Sequence, residues 1–475
     1  MSMRAWLMSL ALPALVVGCA APPVPPPEPT EPPEAWSFAP NTTQQPTNPS
    51  HQPPDERWWR ALNDEDLNRI IEAVLTRNAD LHAAEARLRQ ARAMVRTTQA
   101  DRKWQLDASV SAAHERVPGS TVEDANGRPV TLPPDRNSRY GLTLEARYEF
   151  DWLGRLGLEA RAAQAEQQAS AADKQGLRQW LVHETLQAYA EYRLHQQRAT
   201  LARRSEALLT QALRMQGEKL SAGLIAQHEW LEAERQLAHS RDHLRDVQSQ
   251  RQNTQVRLAV LLDQAPDATE LTTHARYFEQ LDMTGVLPPR LPAEVIGRRA
   301  DVAAAWQRVQ SAYLEARATR LERFPSLTLT GRSGLVSESL ARWLTTTALD
   351  WLFQAAVHGS VFDGGMHEAR THHAVAEMDE RHAMYRKTVV SALAEVEIAL
   401  STTQAQRERV ASAEAEQRRC IAEQESARAQ LVAGLLGRAE LLQAQLALLE
   451  ADQQVLQSRY ELLGAQAKAQ FALGG

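Results

Sequence analysis

Apolar positions recur along this chain with two periods, and the period switches at matching places in its two halves. Near the C-terminus Leu442, Leu446, Leu449, Gln453, Leu456, Tyr460 and Leu463 step alternately by four and three residues; Val389, Leu393, Val396 and Leu400 do the same upstream. A seam of that spacing predicts helices that pair as a coiled coil. In the first half Leu244, Val247, Arg251, Thr254, Leu258 and Leu261 follow it less cleanly. Elsewhere the period falls to two. Leu106, Ala108, Val110 and Ala112 share one side, as do Tyr140, Leu142, Leu144, Ala146, Tyr148 and Phe150. Leu327 and Leu329 alternate with threonines, and Trp351, Phe353, Ala355, Val357, Gly359 and Val361 alternate with polar or small residues. Alternation of this kind predicts β-strands. Ahead of them, Asp64 reads as the N-cap of a helix carrying Leu67, Ile70, Ile71 and Leu75 at helical spacing.

The halves can be superimposed. "RNADLHAAEARLRQARAMVRTTQADRKW" at 77–104 matches "RRADVAAAWQRVQSAYLEARATRLERF" at 298–324, each with an aspartate (Asp80, Asp301) in the cap position. Both copies then enter two strands and reach Phe-Asp, at Phe150-Asp151 and Phe362-Asp363. About 70 helix-like residues follow in each, roughly 100 Å of helix at 1.5 Å per residue. A Gly-centred turn ends each long stretch, "LSAGLIAQHE" at 220–229 and "LVAGLLGRAE" at 431–440. Each half therefore folds back at Gly223 or Gly434 into an antiparallel coiled coil.

Strands of about 10 to 12 residues with one apolar side have the length of transmembrane strands, which need about 9 to 11. Four strands leave two edges, and unpaired backbone groups in hydrocarbon cost several kcal/mol each, so the strands must be pooled between chains. Trp104, Phe150, Trp152, Phe324 and Phe362 all fall at the strand ends nearest the helices, where a belt of interfacial aromatics would stand. Residues 115–138 and 337–348 at the opposite ends read as external loops. As a half-buried soluble sheet, the strands would have no reason to interrupt two long coiled coils.

Composition fits this picture. Aromatics make up 5% of 475 residues, and the net charge is −6, with no basic block to mark a nucleic-acid partner. The start, "MSMRAWLMSLALPALVVGCA", has Arg4, an apolar run from Ala5 to Val17 and small Gly18 before Cys19. That run is shorter than the ~20 residues that span a bilayer and reads as a signal peptide. Residues 22–54 hold 13 of the 23 prolines, an extended tether. The second cysteine, Cys420, reads as a packed thiol within a helix.

No motif carries catalytic chemistry. "GEKLS" at 217–221 lacks the rest of a phosphate-binding loop. "HEARTH" at 367–372 puts its histidines five apart, off the shared helix face that zinc requires. His239 and His243 have ligand spacing but no third ligand; His358, His367, His372, His373 and His382 read as polar tunnel or surface positions. Neither an enzymatic activity, a metal nor a cofactor is expected.

"LVVGC", the tryptophans Trp58 and Trp59, "RRADVAAAW" at 298–306, "FPSLTLTG" at 324–331, "VFDGG" at 361–365, "LVAGLLGRAELLQAQ" at 431–445 and the terminal "FALGG" together resemble the TolC-like outer-membrane factor family, above all its lipoprotein (NodT-type, RND efflux) subgroup. The resemblance covers about residues 55–475. It implies a mainly α protein with a membrane β part: a homotrimer whose 12-stranded barrel, four strands per chain, continues into a coiled-coil tunnel through the periplasm, with small helices forming a belt. Its function would be a passive exit duct for small toxic compounds, working with a periplasmic adaptor and an inner-membrane RND-type pump. Cys19, followed by Ala20, would carry acyl chains into the outer membrane. Boundaries follow as signal peptide 1–18, tether 19–54, first helices and belt 55–103, strands 104–150, first hairpin 151–263, linker and helix 264–323, strands 324–362 and second hairpin 363–475. Leu220, Ser221, Ala222, Gly223, Leu224, Leu431, Val432, Ala433, Gly434 and Leu435 would dock the adaptor. Ile225, Leu435, Leu436 and Arg438 would line the periplasmic gate. Family members often place an acidic residue just past the second Gly; Leu435, Leu436, Gly437 and Arg438 here predict a largely apolar constriction that excludes water. A duct for type I protein secretion and a lipid-anchored coiled-coil scaffold without a pore are the competing readings.

Overall fold

The computed structural model describes residues 24–30, 57–123, 127–265, 297 and 299–474. Cys19, the signal sequence and most of the tether and linker lie outside the described residues. In chain order, a 3-10 turn (Trp58–Leu62) precedes α1 (Glu65–Arg77) and α2 (Ala79–Ala100). Strands β1 (Gln105–Val117), β2 (Ser120–Glu123), β3 (Pro129–Leu132) and β4 (Asp135–Phe150) follow. Then come α3 (Arg155–Ser221), α4 (Gln227–Leu261), α5 (Ala300–Leu321), β5 (Ser326–Ser337), β6 (Leu349–His358), α6 (Met366–Val432) and α7 (Arg438–Ala472). Contacts divide the chain into two compact units.

The first unit comprises Met1–Pro29, Arg89–Ala169 and Trp306–Met384. Its antiparallel sheet has the order β1-β4-β5-β6, with β1 and β6 as edges. The register runs Leu106↔Ala146, Val110↔Leu142, Leu144↔Ser333, Leu329↔Ala355 and Gly331↔Phe353, so the apolar sets read from the sequence all meet on one face. The other face carries Asp107, Glu145, Arg147, Arg332 and Asp350, with Arg332 and Asp350 paired at 3.2 Å.

Two expectations about the strands need correction. The segment 115–138 is not all loop: β1 runs on to Val117, β4 begins at Asp135, and β2 and β3 pair as a small hairpin between them. β-Branched Thr121, Val122 and Thr131 favour that pairing despite the Pro and Gly around them. The last strand stops at His358, short of Val361. Pro325, next in line on β5's side, has no N–H to continue the ladder, and Gly359 sits where a Cβ would stand 2.9 Å from the Pro325 ring.

The second unit comprises Thr30–Leu88, Ser170–Ala305 and Tyr385–Gly475. Its core joins Trp58, Trp59, Leu67, Ile71 and Val74 to Leu181, Leu186 and Tyr189 of α3, Leu258 of α4 and Leu463 of α7. Asp64 caps α1 as expected, its Oδ1 accepting from the Leu67 N–H at 2.9 Å while Oδ2 accepts from the Tyr189 hydroxyl at 2.9 Å. The cap of α2 is Asn78, not Asp80: Asn78 Oδ1 accepts from the Leu81 N–H, and its Nδ2 donates to the Leu261 carbonyl at 3.1 Å. Nor does Asp301 cap α5 from outside; it lies in the first turn, held by the buried Arg299 guanidinium, which also donates to the Ala472 carbonyl. Arg299 holds the Asp301 carboxyl below the usual carboxylate range despite its burial.

Each long helix folds back on a shorter one. Arg257 of α4 donates to Glu184 and Glu191 of α3, and Arg241 to Glu206, each at 3.0 Å, so the pair is antiparallel. Arg459–Glu414 at 2.8 Å and Asp452–Gln417 at 2.7 Å tie α7 to α6 the same way. Leu442, Leu449, Leu456 and Leu463 of the seam are buried, as are Val389, Val396 and Leu400 of α6 and Val247, Thr254 and Leu258 of α4.

Candidate functional site

The sites expected from the sequence are the sheet's apolar face with its flanking aromatics and the two helical turns. The apolar face is bare: Leu106 is 71% exposed, Trp351 66%, Phe353 80% and Val357 69%. Trp351 and Phe353 stand side by side, ring centroids 5.8 Å apart, and the Phe353 ring lies 3.3 Å from where a Cβ on Gly331 would be. Water hydrates such a face poorly, at about 25 cal/mol per Å2. Patches of this kind mark a membrane or protein contact.

The five aromatics expected as a belt do gather at the helix end of the sheet. Trp104 precedes β1 and stacks on Tyr148 at 4.9 Å. Phe150 ends β4, and the Trp152 indole donates to the Pro325 carbonyl at 3.2 Å. Phe324 precedes β5 under the Arg323 guanidinium, and Phe362 follows β6, almost fully exposed. The sequence reading missed what the Asp of each Phe-Asp pair does. Asp151 accepts from the Leu156 and Gly157 N–H groups, and Asp363 from those of Gly365 and His367. Both carboxylates thus satisfy donors at the N-terminus of a long helix. Those N–H groups hold the Asp363 carboxyl below the usual carboxylate range.

The two Gly turns are built alike. Gly223 has φ 70° and Gly434 φ 72°, the left-handed region where a side chain is strained. Leu224 N–H donates to the Lys219 carbonyl and Gly223 N–H to that of Leu220; Leu435 N–H donates to Gln430 and Gly434 N–H to Leu431. This is the Schellman pattern of helix termination, given twice. It leaves Leu224 and Leu435 bare, 75% and 78% exposed, beside exposed Ser221, Ala222, Val432 and Ala433. Leu220, Ile225, Leu431 and Leu436 are half-buried and Arg438 is exposed. The helices restart at Gln227 and Arg438 behind Ala226 and Gly437, which offer no side-chain oxygen. Glu229 accepts the Ala226 N–H at 3.1 Å, and the Glu440 carboxylate lies against Gly437.

The histidines do not assemble a metal centre: among the described residues no group of three His, Cys, Asp or Glu has ligand geometry. His239 and His243 lie exposed on α4. His367 and His372 each face a carboxylate one turn earlier, Asp363 and Glu368. Cys420 is buried within α6. A cleft of about 520 Å3 between α5 and α6 is lined by Glu315, Glu322, Arg370, His373 and Glu377 above an alanine floor, and burial pushes the Glu315 carboxyl up. No described helix is long and apolar enough to cross a membrane.

An amphipathic four-stranded sheet joined to long coiled-coil hairpins defines a channel-type protein of the outer membrane. The chain belongs to the outer membrane efflux protein family, whose model matches residues 70–264 and 291–475. It is 27% identical over 408 residues to the pyoverdine export outer membrane protein OpmQ of Pseudomonas putida, covering 85% of this chain and 83% of that one. The probable efflux pump outer membrane protein TtgC of the same species is 25% identical over 485 residues, 99% and 95% of the two chains. Among solved structures, the outer-membrane channel OprN superposes with a TM-score of 0.81 at 25% identity, over 95% of this chain and 99% of that one. The Campylobacter jejuni CmeC outer membrane channel gives 0.82 at 19% identity over 96% and 95%, a likeness of fold. The family consists of outer-membrane channels rather than enzymes, and the chain is an outer-membrane efflux channel of TolC-like fold.

Proposed function

We propose that three copies pool their sheets into a closed 12-stranded barrel and act as the passive exit duct of a tripartite pump, releasing small toxic compounds outside the cell. One observation carries this: four paired strands with a mainly apolar face, bare on the edge strands, and two free edges, β1 and β6. In lipid such a sheet is stable only when its edges pair, and one chain supplies too few strands to close on itself. Each protomer is read as two copies of one unit, a reading supported by α3 and α6 having 67 residues each and α4 and α7 having 35 each. The coiled-coil hairpins extend into the periplasm, and acyl chains on Cys19 add an anchor in the outer membrane.

The Gly turns then form a ring of six at the periplasmic end. Exposed Leu224, Val432 and Leu435 offer the apolar contact that an adaptor needs. Ile225, Leu435, Leu436 and Arg438 form the gate. It is closed chiefly by apolar side chains, with Glu229 accepting the Ala226 N–H behind them. Purified protein in planar bilayers tests the reading. Discrete conductance steps, weakly sensitive to low-micromolar trivalent cations on the periplasmic side, are expected. Absence of conductance would leave a scaffold, and strong cation block would rule out the apolar gate.

A further inference from the structure

We propose that Arg116 and Arg136 form a phosphate clamp on the lipid-facing side of the sheet, holding the phosphorylated headgroup of an outer-leaflet glycolipid. The proposal rests on the membrane barrel above and names a ligand for one end of its outer face. Pleating supplies the first argument. β1 and β4 keep one unbroken register from Gln105↔Arg147 to Val117↔Asp135, so Arg116 stands directly opposite Arg136 on the face that carries Leu106, Val110, Leu142 and Leu144. On all four strands that face holds no Asp, Glu or Lys, and these two are its only arginines. The acids next to them in the chain, Glu115 and Asp135, fall on the opposite face. Like charges directly across an antiparallel pair, with Cβ atoms about 5 Å apart, repel and destabilise the strand ends. Both side chains are exposed, and among the described residues neither guanidinium meets a carboxylate. An anion between them turns the repulsion into attraction, and two planar guanidinium forks match the oxygens of one phosphate.

Position along the strands identifies which phosphate. Trp104 stacks on Tyr148 at the helix end of this face. Toward the other end Tyr140 stands opposite Ala112, and the hydrogen-bonded His114 and Ser138 lie between Tyr140 and the arginines. The stretch from Trp104 to Arg116 is about 41 Å of strand and, at a tilt of about 40°, about 31 Å of height. A hydrocarbon core is about 30 Å thick. With the Trp104–Tyr148 pair at the inner interface, the arginines stand at the outer headgroups, where the glycolipid of an outer membrane carries its phosphates. The loop between β5 and β6 leaves the sheet at Ser337, level with Tyr140, and it bears bare Leu340 and Leu344 beside exposed Arg342. Apolar side chains next to a cation suit an anionic lipid surface, where both kinds of contact add, rather than a dissolved phosphate.

The test reconstitutes the full chain in zwitterionic vesicles containing outer-membrane glycolipid, either intact or enzymatically stripped of phosphate. Glycolipid that stays with the protein through re-extraction and gel filtration is counted per protomer. The native chain should retain the intact form, and R116Q with R136Q about tenfold less of it. R139Q, on the opposite face, should retain as much as the native chain. Equal retention by native and double variant, equal retention of the two glycolipids, or an equal loss in R139Q would overturn the clamp and leave the barrel standing. Displacement by millimolar inorganic phosphate would overturn the glycolipid as occupant. A native chain that alkaline washing strips from the vesicles would overturn the barrel and the clamp together. Heat stability of the oligomer gives a readout that misfolding does not mimic. Without glycolipid the double variant should be at least as stable as the native chain, its like-charge pair being gone, and intact glycolipid should stabilise only the native chain. An equal gain in the double variant would overturn the clamp.

Discussion

Gly434→Ala tests whether the hairpin turn depends on backbone conformation rather than on contacts. Nothing lies within 4 Å of a Cβ added at Gly434, so the new methyl meets no neighbour. What remains is φ at 72°, where an L residue is disfavoured by about 1 to 2 kcal/mol. The unfolded chain also loses freedom with Ala, which offsets about 0.4 to 1 kcal/mol. The expected net loss is about 1 kcal/mol, or about fivefold in the local opening constant. Gly464, inside α7, likewise has nothing within 4 Å of an added Cβ, yet there Ala should stabilise by up to about 1 kcal/mol because the backbone is helical. Amide hydrogen exchange reads both. Leu435, whose N–H closes the turn on the Gln430 carbonyl at 2.9 Å, should exchange faster in G434A and more slowly or unchanged in G464A. Asn at 434 should fall between Gly and Ala. If G434A left exchange at Leu435 unaltered, or if both substitutions shifted exchange in the same direction, the conformational argument would be wrong.

Three further outcomes follow from the site. Val110→Arg, on the bare apolar face, should cost about 2 to 4 kcal/mol of assembly in lipid, while Ser109→Arg on the opposite face should be tolerated; heat-stable oligomer on unheated gels measures the difference. Because backbone donors lower the Asp363 pKa, its contribution to stability is complete above the ordinary carboxylate value of about 3.9 and is lost as pH falls through the lowered folded value. Helicity followed by circular dichroism from neutral to strongly acid pH should therefore fall less steeply in Asp363→Asn, whose side chain does not titrate, than in the native chain. Cys19→Ser should abolish incorporation of labelled palmitate; persistent label would place the acyl chain elsewhere.

Periodicity made the repeated parts of the fold legible. Leu106, Tyr140, Leu329 and Trp351 could be assigned to one face because a strand alternates strictly, and the register puts them there. Leu442 to Leu463 could be assigned to one seam for the corresponding helical reason. Contacts between distant residues were not legible. Asn78 displaces Asp80 as a cap because its amide also reaches the Leu261 carbonyl, 183 residues away, and no local pattern announces that bond. Arg299 looked like part of a repeated motif and proves to tie Asp301, Glu395 and the end of α7 together. The early stop of β6 depends on Pro325, which lies ahead of another strand.

The two turns show how far a repeat can be read. Sequence gives the same Gly at each and different residues after it, and from that alone the copies differ only in polarity. In the folded chain both restart a helix without a side-chain cap, and both place a glutamate on the third residue, Glu229 and Glu440. At the first turn the Cβ of Ala226 is accommodated while Glu229 takes its N–H. At the second, a Cβ on Gly437 would stand 2.7 Å from the Glu440 carboxylate, a contact the flexible acid would relieve only by moving away. Arg438 is left exposed beside that acid, where the first copy has neutral Gln227. A partner meeting all six turns of a trimer would find the same apolar Leu at each, Leu224 or Leu435, with a cation before the glycine in one type, Lys219, and after it in the other, Arg438. Apolar contact would therefore be offered at every turn, and the different place of the cation, Lys219 in one type and Arg438 in the other, would distinguish the two rotational settings of a three-fold partner.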